Sequence, residues 1–243
     1  MTVLIIGLGL IGGAIAIALR ERAGWRVRFV DRDPSLALEG VERAYALDDA
    51  DVIVLATPVA VAVELLPTIA ARGVITSVGS VMRPLRAIAP ANFVAGHPMA
   101  GWHEGGLANA RYVQLEGASW FVDDDDPRVD ELVHACGALP VRVEAADHDA
   151  AIALTSHLPQ VLSTALFSYL SDKPDVQKFA GAGLRSFRLA ASDGAMWQSV
   201  LEANRDNLRP HADAIAQLVR AIIEGDEPEA FARARTLWRA LTE

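Results

Sequence analysis

Residues 4–20 read LIIGLGLIGGAIAIALR: an apolar run, a turn with glycines at 7, 9 and 12, and an Ala/Ile-rich segment of helical length. The pattern is G-x-G-x-x-G between a strand and a helix. Gly7 permits the tight turn, Gly9 lets the backbone approach a pyrophosphate, and Gly12 lets the helix lie close on the sheet. A phosphate would then meet the helix N-terminus at Leu10 and Ile11, where free N–H groups and the dipole favour negative charge. A glycine-rich turn of this kind also occurs in α/β domains that bind no nucleotide, so the context decides.

That context begins with residues 25–30 (WRVRFV), which alternate as a strand and end at Asp31. An acidic residue about 20 positions beyond the turn is placed to accept hydrogen bonds from the ribose hydroxyls of NAD. Arg32 could instead meet the 2′-phosphate of NADP, but that phosphate would also face the Asp31 carboxylate. Like-charge repulsion favours NAD over NADP.

The 243 residues are 52% hydrophobic and 22% charged, a globular composition. They suffice for one or two domains with a substantial core. A net charge of −9 argues against nonspecific nucleic-acid binding, which needs a cationic surface. A small anionic substrate held by local arginines remains compatible with it. Cys136 is the single cysteine. It excludes an internal disulfide and a multi-cysteine metal site and suits a reducing cytoplasm. The apolar N-terminus lacks a preceding basic segment, and the run 52–66 is broken by Pro58 and contains Glu64. A soluble protein that meets no membrane is therefore expected.

Along the chain, residues 52–56 (VIVLA) form a continuous apolar strand ending at Thr57-Pro58, where a helix over 59–71 begins. Ligands bind outside the carboxyl ends of strands in such folds, so Thr57 and Pro58 are candidates to pack against the nicotinamide half. A strand over 73–78 ends beside Ser80. Another over 93–96 delivers His97, a credible acid/base group because imidazole titrates near neutrality. Residues 102–117 read as an irregular connection able to cover the site. The acidic turn 123–126 reads as structural, since nothing clusters with it as metal ligands would. After a strand at 140–143 the pattern becomes almost wholly helical. The expected organisation is an N-terminal Rossmann-type dinucleotide-binding domain, 1–146, followed by an all-helical domain, 147–243.

In that second part, a long helix over 147–169 carries Ser156, Gln160 and Ser163 on one stripe with His157 beside them, and Pro159 should kink it. The stripe either bonds back to its own helix or faces substrate. Arg185 and Arg188 lie in a glycine-containing apolar setting, and either can grip a carboxylate with two donors. Ser192-Asp193 can cap the next helix. Helices over 202–224 and 227–241 have amphipathic patterns suited to a homodimer.

GLGLIGG at 7–13, ATP at 56–58, VGSV at 78–81, GHPMAG at 96–101, HDAAIALTSHLPQ at 148–160, SDGAMW at 192–197 and LEAN at 201–204 occur together in this order. This combination resembles the prephenate/arogenate dehydrogenase family of tyrosine biosynthesis. The resemblance implies a nucleotide-binding domain followed by a helical dimerisation domain. It also implies NAD(P)-linked oxidative decarboxylation of prephenate to 4-hydroxyphenylpyruvate or of arogenate to tyrosine. On the family pattern His97 polarises or deprotonates the substrate hydroxyl and Ser80 supports it. Ser156, His157 and Gln160 fall on the substrate-side helix, and Arg188, in competition with Arg185, binds carboxylate. Gln160 stands where many relatives have a second histidine. His103 replaces a glutamate, and Ser77 and Met82 replace an Asp and a Lys. A β-hydroxyacid dehydrogenase or imine-reductase relative shares the fold plan. The β-hydroxyacid enzymes use a lysine on the first inter-domain helix, however, and the only lysines here are Lys173 and Lys178. A dinucleotide-sensing module without catalysis would not call for His97.

Overall fold

The computed structural model describes residues 1–47, 50–192 and 194–242. The N-terminal half begins with β1 (Thr2–Ile6), α1 (Leu10–Ala18), β2 (Arg26–Val30), β3 (Glu42–Arg43) and β4 (Val52–Leu55). It continues through α2 (Val59–Leu65), β5 (Val74–Ser77), α3 (Arg83–Arg86) and β6 (Phe93–Val94). The six strands form one parallel sheet in the order β3-β2-β1-β4-β5-β6. The order reverses between β1 and β4, which opens a crevice at their carboxyl ends.

Both central strands are buried on both faces, as their unbroken apolar runs require. Val3, Ile5, Val52 and Val54 point into one core with Ile15, Leu19 and Phe29. Leu4, Ile6, Ile53 and Leu55 point into the other with Leu66 and Phe93. The period-two division follows from the pleat, and each large buried side chain contributes about 1.5–3 kcal/mol.

A second sheet departs from the sequence reading. The expected strand at 93–96 splits: β6 ends at Val94, and β7 (Gly96–Pro98) turns away to pair antiparallel with β8 (Ser119–Val122). After α4 (Pro127–Ala135), β9 (Leu139–Arg142) completes a three-stranded sheet parallel to β8. His97 therefore lies within a strand, opposite Phe121, instead of beyond a strand end. The break is held by Asp123, which accepts from the Ala95 amide and from Arg86. Gly96 fits it because a Cβ there would stand 2.7 Å from the Ser77 carbonyl. Asp126 caps α4 by accepting from the Arg128 amide. Among the described residues no group of three or more His, Cys, Asp or Glu could hold a metal ion.

The C-terminal half comprises α5 (Ala145–Ile152), α6 (Leu158–Ser171), α7 (Pro174–Gln177), α8 (Ala182–Arg185), α9 (Gly194–Ala203), α10 (Arg205–Glu224) and α11 (Ala230–Thr242). α5 and α6 are joined by a π-helical turn, Ala153–His157, just before Pro159. Pro159 has no N–H to offer the carbonyl four residues back, and the backbone accommodates this by widening the preceding turn. The whole run Ala145–Ser171 is long and apolar enough to cross a membrane. Near its start, however, the buried Asp149 accepts from the Met82 and Arg83 amides of the other half, which ties this end of the run into the fold. On α10 and α11, Leu218, Val219, Ile223, Leu237, Trp238 and Leu241 are exposed. Asp193, expected to share a helix cap with Ser192, lies outside the described residues.

Candidate active site

The glycine turn has the geometry its spacing predicts. Gly7 sits at φ +100°, and a Cβ there would meet the Ala56 carbonyl at 2.7 Å. A Cβ on Gly12 would lie 2.0 Å from the Gly7 carbonyl, so α1 rests directly on the turn. Gly9 differs: a Cβ there would meet nothing within 4 Å. The backbone is tight at 7 and 12 and open at 9, where a pyrophosphate has to approach. Asp31 accepts from the Leu8 amide at 2.7 Å and from the Asp33 amide at 2.9 Å. These bonds fix the carboxylate beside the turn and leave it lone pairs for ribose hydroxyls. Arg32 is exposed next to it.

A cavity of about 270 Å³ opens at the strand ends. It is lined by Leu10, Ile11, Thr57, Pro58, Gly79 and Ser80 of the N-terminal half and by Ser192, Met196, Ser199 and Val200 of the helical half. Among the described residues Thr57 Oγ1 is buried without a hydrogen-bond partner, an orphan that a bound ligand would satisfy. Trp102, His103, Gly105 and Gly106 also line it. Trp102 stacks on Tyr112, 5.3 Å between ring centres, and meets His103 at 4.6 Å. Only this first part of the 102–117 connection faces the cavity. Leu107 and Ala110 pack so closely on α1 that a Cβ on Gly13 would meet them at 2.6 and 2.9 Å.

His97 is buried and makes one side-chain hydrogen bond, from Nδ1 to His148 Nε2 at 3.0 Å. His148 Nδ1 in turn meets Asp149 Oδ1 at 2.8 Å. No hydrogen bond joins Ser80 to His97 among the described residues; Ser80 lines the cavity and His148 occupies the supporting position. Burial, and secondarily the neighbouring His148 and His157, push the His97 pKa down to about 3, so the ring is neutral at physiological pH.

Of the polar stripe on the long helix, Ser163 Oγ bonds back to the Pro159 carbonyl at 2.9 Å. Gln160 is also satisfied by protein. Its Nε2 donates to the Leu189 carbonyl at 2.8 Å and to Thr164 Oγ1 at 3.2 Å, and its Oε1 accepts from Ser192 Oγ at 3.1 Å. Ser156 is half-buried. His157 is fully buried and receives an N–H of Asn204 on Nδ1 at 3.1 Å; its Nε2 has no partner. Asn204 fixes this assignment, because the same amide nitrogen donates to the Asp149 carbonyl at 2.8 Å. His157 thus carries its hydrogen on Nε2, a buried donor without an acceptor. Arg185 and Arg188 are exposed and stand outside the cavity wall.

Residues 15–136 match the family model described as prephenate dehydrogenase, nucleotide-binding domain, and residues 144–234 match that of the prephenate dehydrogenase dimerization domain. The chain belongs to the prephenate dehydrogenase family. A prephenate dehydrogenase of Lactococcus lactis is 30% identical over 247 residues, covering 88% of this chain and 70% of that protein. Among solved structures, Synechocystis arogenate dehydrogenase has a TM-score of 0.72 at 25% identity and covers 97% of each chain. Aquifex aeolicus prephenate dehydrogenase, solved with hydroxyphenyl propionate and NAD+, has a TM-score of 0.83 at 24% identity. It covers 100% of this chain and 98% of its own, and shows the shared fold.

Against this family frame, sequence reasoning passed over His148, Asp149 and Asn204. All three lie inside HDAAIALTSHLPQ or LEAN, yet an adjacent His-Asp pair looks like an ordinary helix start. Its meaning appears only when β7 brings His97 against α5.

Proposed function

We propose that the chain catalyses NAD-linked oxidative decarboxylation of a cyclohexadienyl substrate in tyrosine biosynthesis. The substrate is prephenate, giving 4-hydroxyphenylpyruvate, or arogenate, giving tyrosine. The observation that carries the reading is a cavity lined both by Thr57 and Ser80 of the nucleotide-binding fold and by Ser192, Met196 and Ser199 of the helical half. Gly7, Gly9, Gly12, Leu10 and Ile11 would hold the pyrophosphate, Asp31 and Arg32 the adenosine end, and Thr57 and Pro58 the nicotinamide end. The open Gly9 and the unpartnered Thr57 hydroxyl fit that cofactor. NAD, when bound, supplies the hydride acceptor.

In this reading His97 Nε2 is the base for the ring hydroxyl. The carbinol C–H electron pair leaves as hydride while the O–H proton passes to His97. Loss of the ring carboxylate as CO2 then makes the ring aromatic, which supplies the driving force. Ser80 offers its hydroxyl on the cavity wall. His157, with its orphaned N–H, Ser156 and Gln160 form the substrate side, and Arg188 or Arg185 binds a carboxylate. We take 1–146 and 147–243 as the working domains, a cytoplasmic location, and a homodimer that covers the apolar faces of α10 and α11. The family's dimerisation domain and the exposed residues on those helices support the homodimer.

The decisive assay follows NAD or NADP reduction with prephenate and with arogenate, four pairs in all. Turnover with NAD and one of the two substrates is expected. Absence of turnover in all four would refute the proposal, and sedimentation as a stable monomer at micromolar concentration would refute the homodimer.

A further inference from the structure

The buried chain from Asp149 through His148 to His97 has a direction, and the member that can only accept sets it. Asp149 is fully buried, and its carboxylate receives the backbone N–H groups of Met82 and Arg83, both at 2.9 Å. Both of its oxygens are thus acceptors of amide hydrogens. An ionised carboxylate has no hydrogen to give, so the 2.8 Å contact with His148 Nδ1 is a donation from the imidazole. In a neutral ring, His148 Nε2 is then an acceptor. Its partner is His97 Nδ1 at 3.0 Å, which must carry the hydrogen. The lone pair of His97 is left on Nε2, which has no hydrogen-bond partner among the described residues.

We propose that His148 and Asp149 are positioning residues for His97. They hold it in the tautomer whose Nε2 is a base, and they take over the positive charge when it accepts a proton. The inference rests on the reading of His97 as the base for the substrate hydroxyl.

The step balances as follows. As the hydroxyl O–H bond breaks, its proton joins His97 Nε2, and the electron pair left on oxygen forms the carbonyl while hydride leaves the carbon. The Nδ1 proton of His97 crosses to His148 Nε2. The result is a neutral His97 protonated on Nε2, a His148 imidazolium and the Asp149 carboxylate. When the ring carboxylate departs as CO2, the pair it releases moves through the ring to the same oxygen, which takes the proton back from Nε2. His148 then returns its proton to His97 Nδ1. No proton is lost or gained over the cycle.

Electrostatics make such a relay useful. A proton held by His97 alone would be buried, with His148 and His157 as its titratable neighbours, and burial already depresses its pKa strongly. Passed on to His148, the charge sits against a carboxylate at 2.8 Å. The two rings meet edge to face, with centres 5.1 Å apart, and the Phe121 ring packs 5.5 Å from His148. Neither imidazole can rotate freely out of register. Asn204, at the N-cap of α10, secures the same turn through the Asp149 carbonyl.

The test needs neither cofactor nor substrate at first. In ring-15N-histidine-labelled protein at pH 7, two-bond 1H–15N spectra are expected to show His97 protonated on Nδ1 with Nε2 bare. An Nε2–H tautomer on His97 overturns the proposal. The second arm is His148→Gln, whose amide can still accept from Nδ1 but cannot take up a proton. With prephenate or arogenate, kcat is expected to fall at least about tenfold while KM stays within about twofold. Unchanged kcat in a variant that keeps the His97 tautomer overturns the charge-uptake role. His97→Asn is the separate control: normal turnover there would refute the base reading itself, while the tautomer measurement on the wild type still decides the hydrogen-bond direction.

Discussion

Gln160 and Leu189 are joined across the helical half: the amide Nε2 of Gln160 donates to the Leu189 carbonyl at 2.8 Å. With Ser192 Oγ donating to Gln160 Oε1 at 3.1 Å, the side chain bridges both ends of the short turn Arg188–Ala191. Gln160 therefore holds the arginine segment in place. Gln160→Ala removes three hydrogen bonds, and the Leu189 carbonyl keeps only the Ser192 amide. It should lower stability by about 1–3 kcal/mol in urea denaturation. Substrate KM should rise several-fold with a smaller change in kcat. A variant with normal KM would separate Gln160 from substrate binding.

The three turn glycines should not respond alike. Gly9→Ala adds a methyl where there is open space, so the thermal midpoint should stay within about 3 °C. The methyl nevertheless stands where the pyrophosphate approaches, and NAD affinity should fall at least about tenfold by titration. Gly12→Ala drives a Cβ into the Gly7 carbonyl and should destabilise the fold itself. Equal NAD affinity in the Gly9 variant would remove the turn from cofactor binding.

How much of this was legible in the sequence depends on how local each feature is. The turn at 7–12, the buried strand at 52–55 and the Asp31 position rest on spacing within about 30 residues, and the structure matches them. The second sheet was not legible, because β7 and β8 pair across a long connection and the three residues of β7 have no pattern of their own. The contact between His97 and His148, 51 residues apart, was invisible for the same reason. Both histidines stood in quoted motifs, but only the fold puts them 3.0 Å apart. The spacing of the polar stripe allows either self-bonding or a face toward substrate; Ser163 bonds back to its own helix, and Gln160 bonds to a neighbouring turn.

Cofactor choice can be tested at Asp31 without dismantling the turn. Its carboxylate accepts from the Leu8 amide at 2.7 Å, so Asp31→Ala would loosen the loop as well as remove the charge. Asp31→Asn keeps one oxygen for that bond, gives up the bond from the Asp33 amide, and removes the repulsion toward a 2′-phosphate. The ratio of kcat/KM for NADP to that for NAD should rise at least about tenfold, equivalent to about 1.4 kcal/mol. Arg32 is then free to meet the phosphate. An unchanged ratio would show that Asp31 does not face the adenosine ribose.

The buried histidines predict how stability follows pH. His157 is fully buried, and its pKa is pushed from 6.5 down to about 4, chiefly by burial, with His148 adding to the drop and Asp149 opposing it. His97 is pushed down to about 3 by burial and then by its histidine neighbours. Both folded values lie below the unfolded one, so between them the unfolded chain binds more protons and stability rises with pH. The contribution is complete above pH 6.5 and is lost as pH falls toward the folded values, at about 1.4 kcal/mol per unit for each ring. Asp126, whose folded pKa is lowered by Arg128, acts in a separate window below its ordinary 3.8. Urea denaturation should therefore give a lower unfolding free energy at pH 5 than at pH 7, by about 2 kcal/mol per histidine. His157→Gln should remove its share of that difference. Equal stability at the two pH values, or an undiminished difference in the variant, would mean that these rings are not held neutral by the fold.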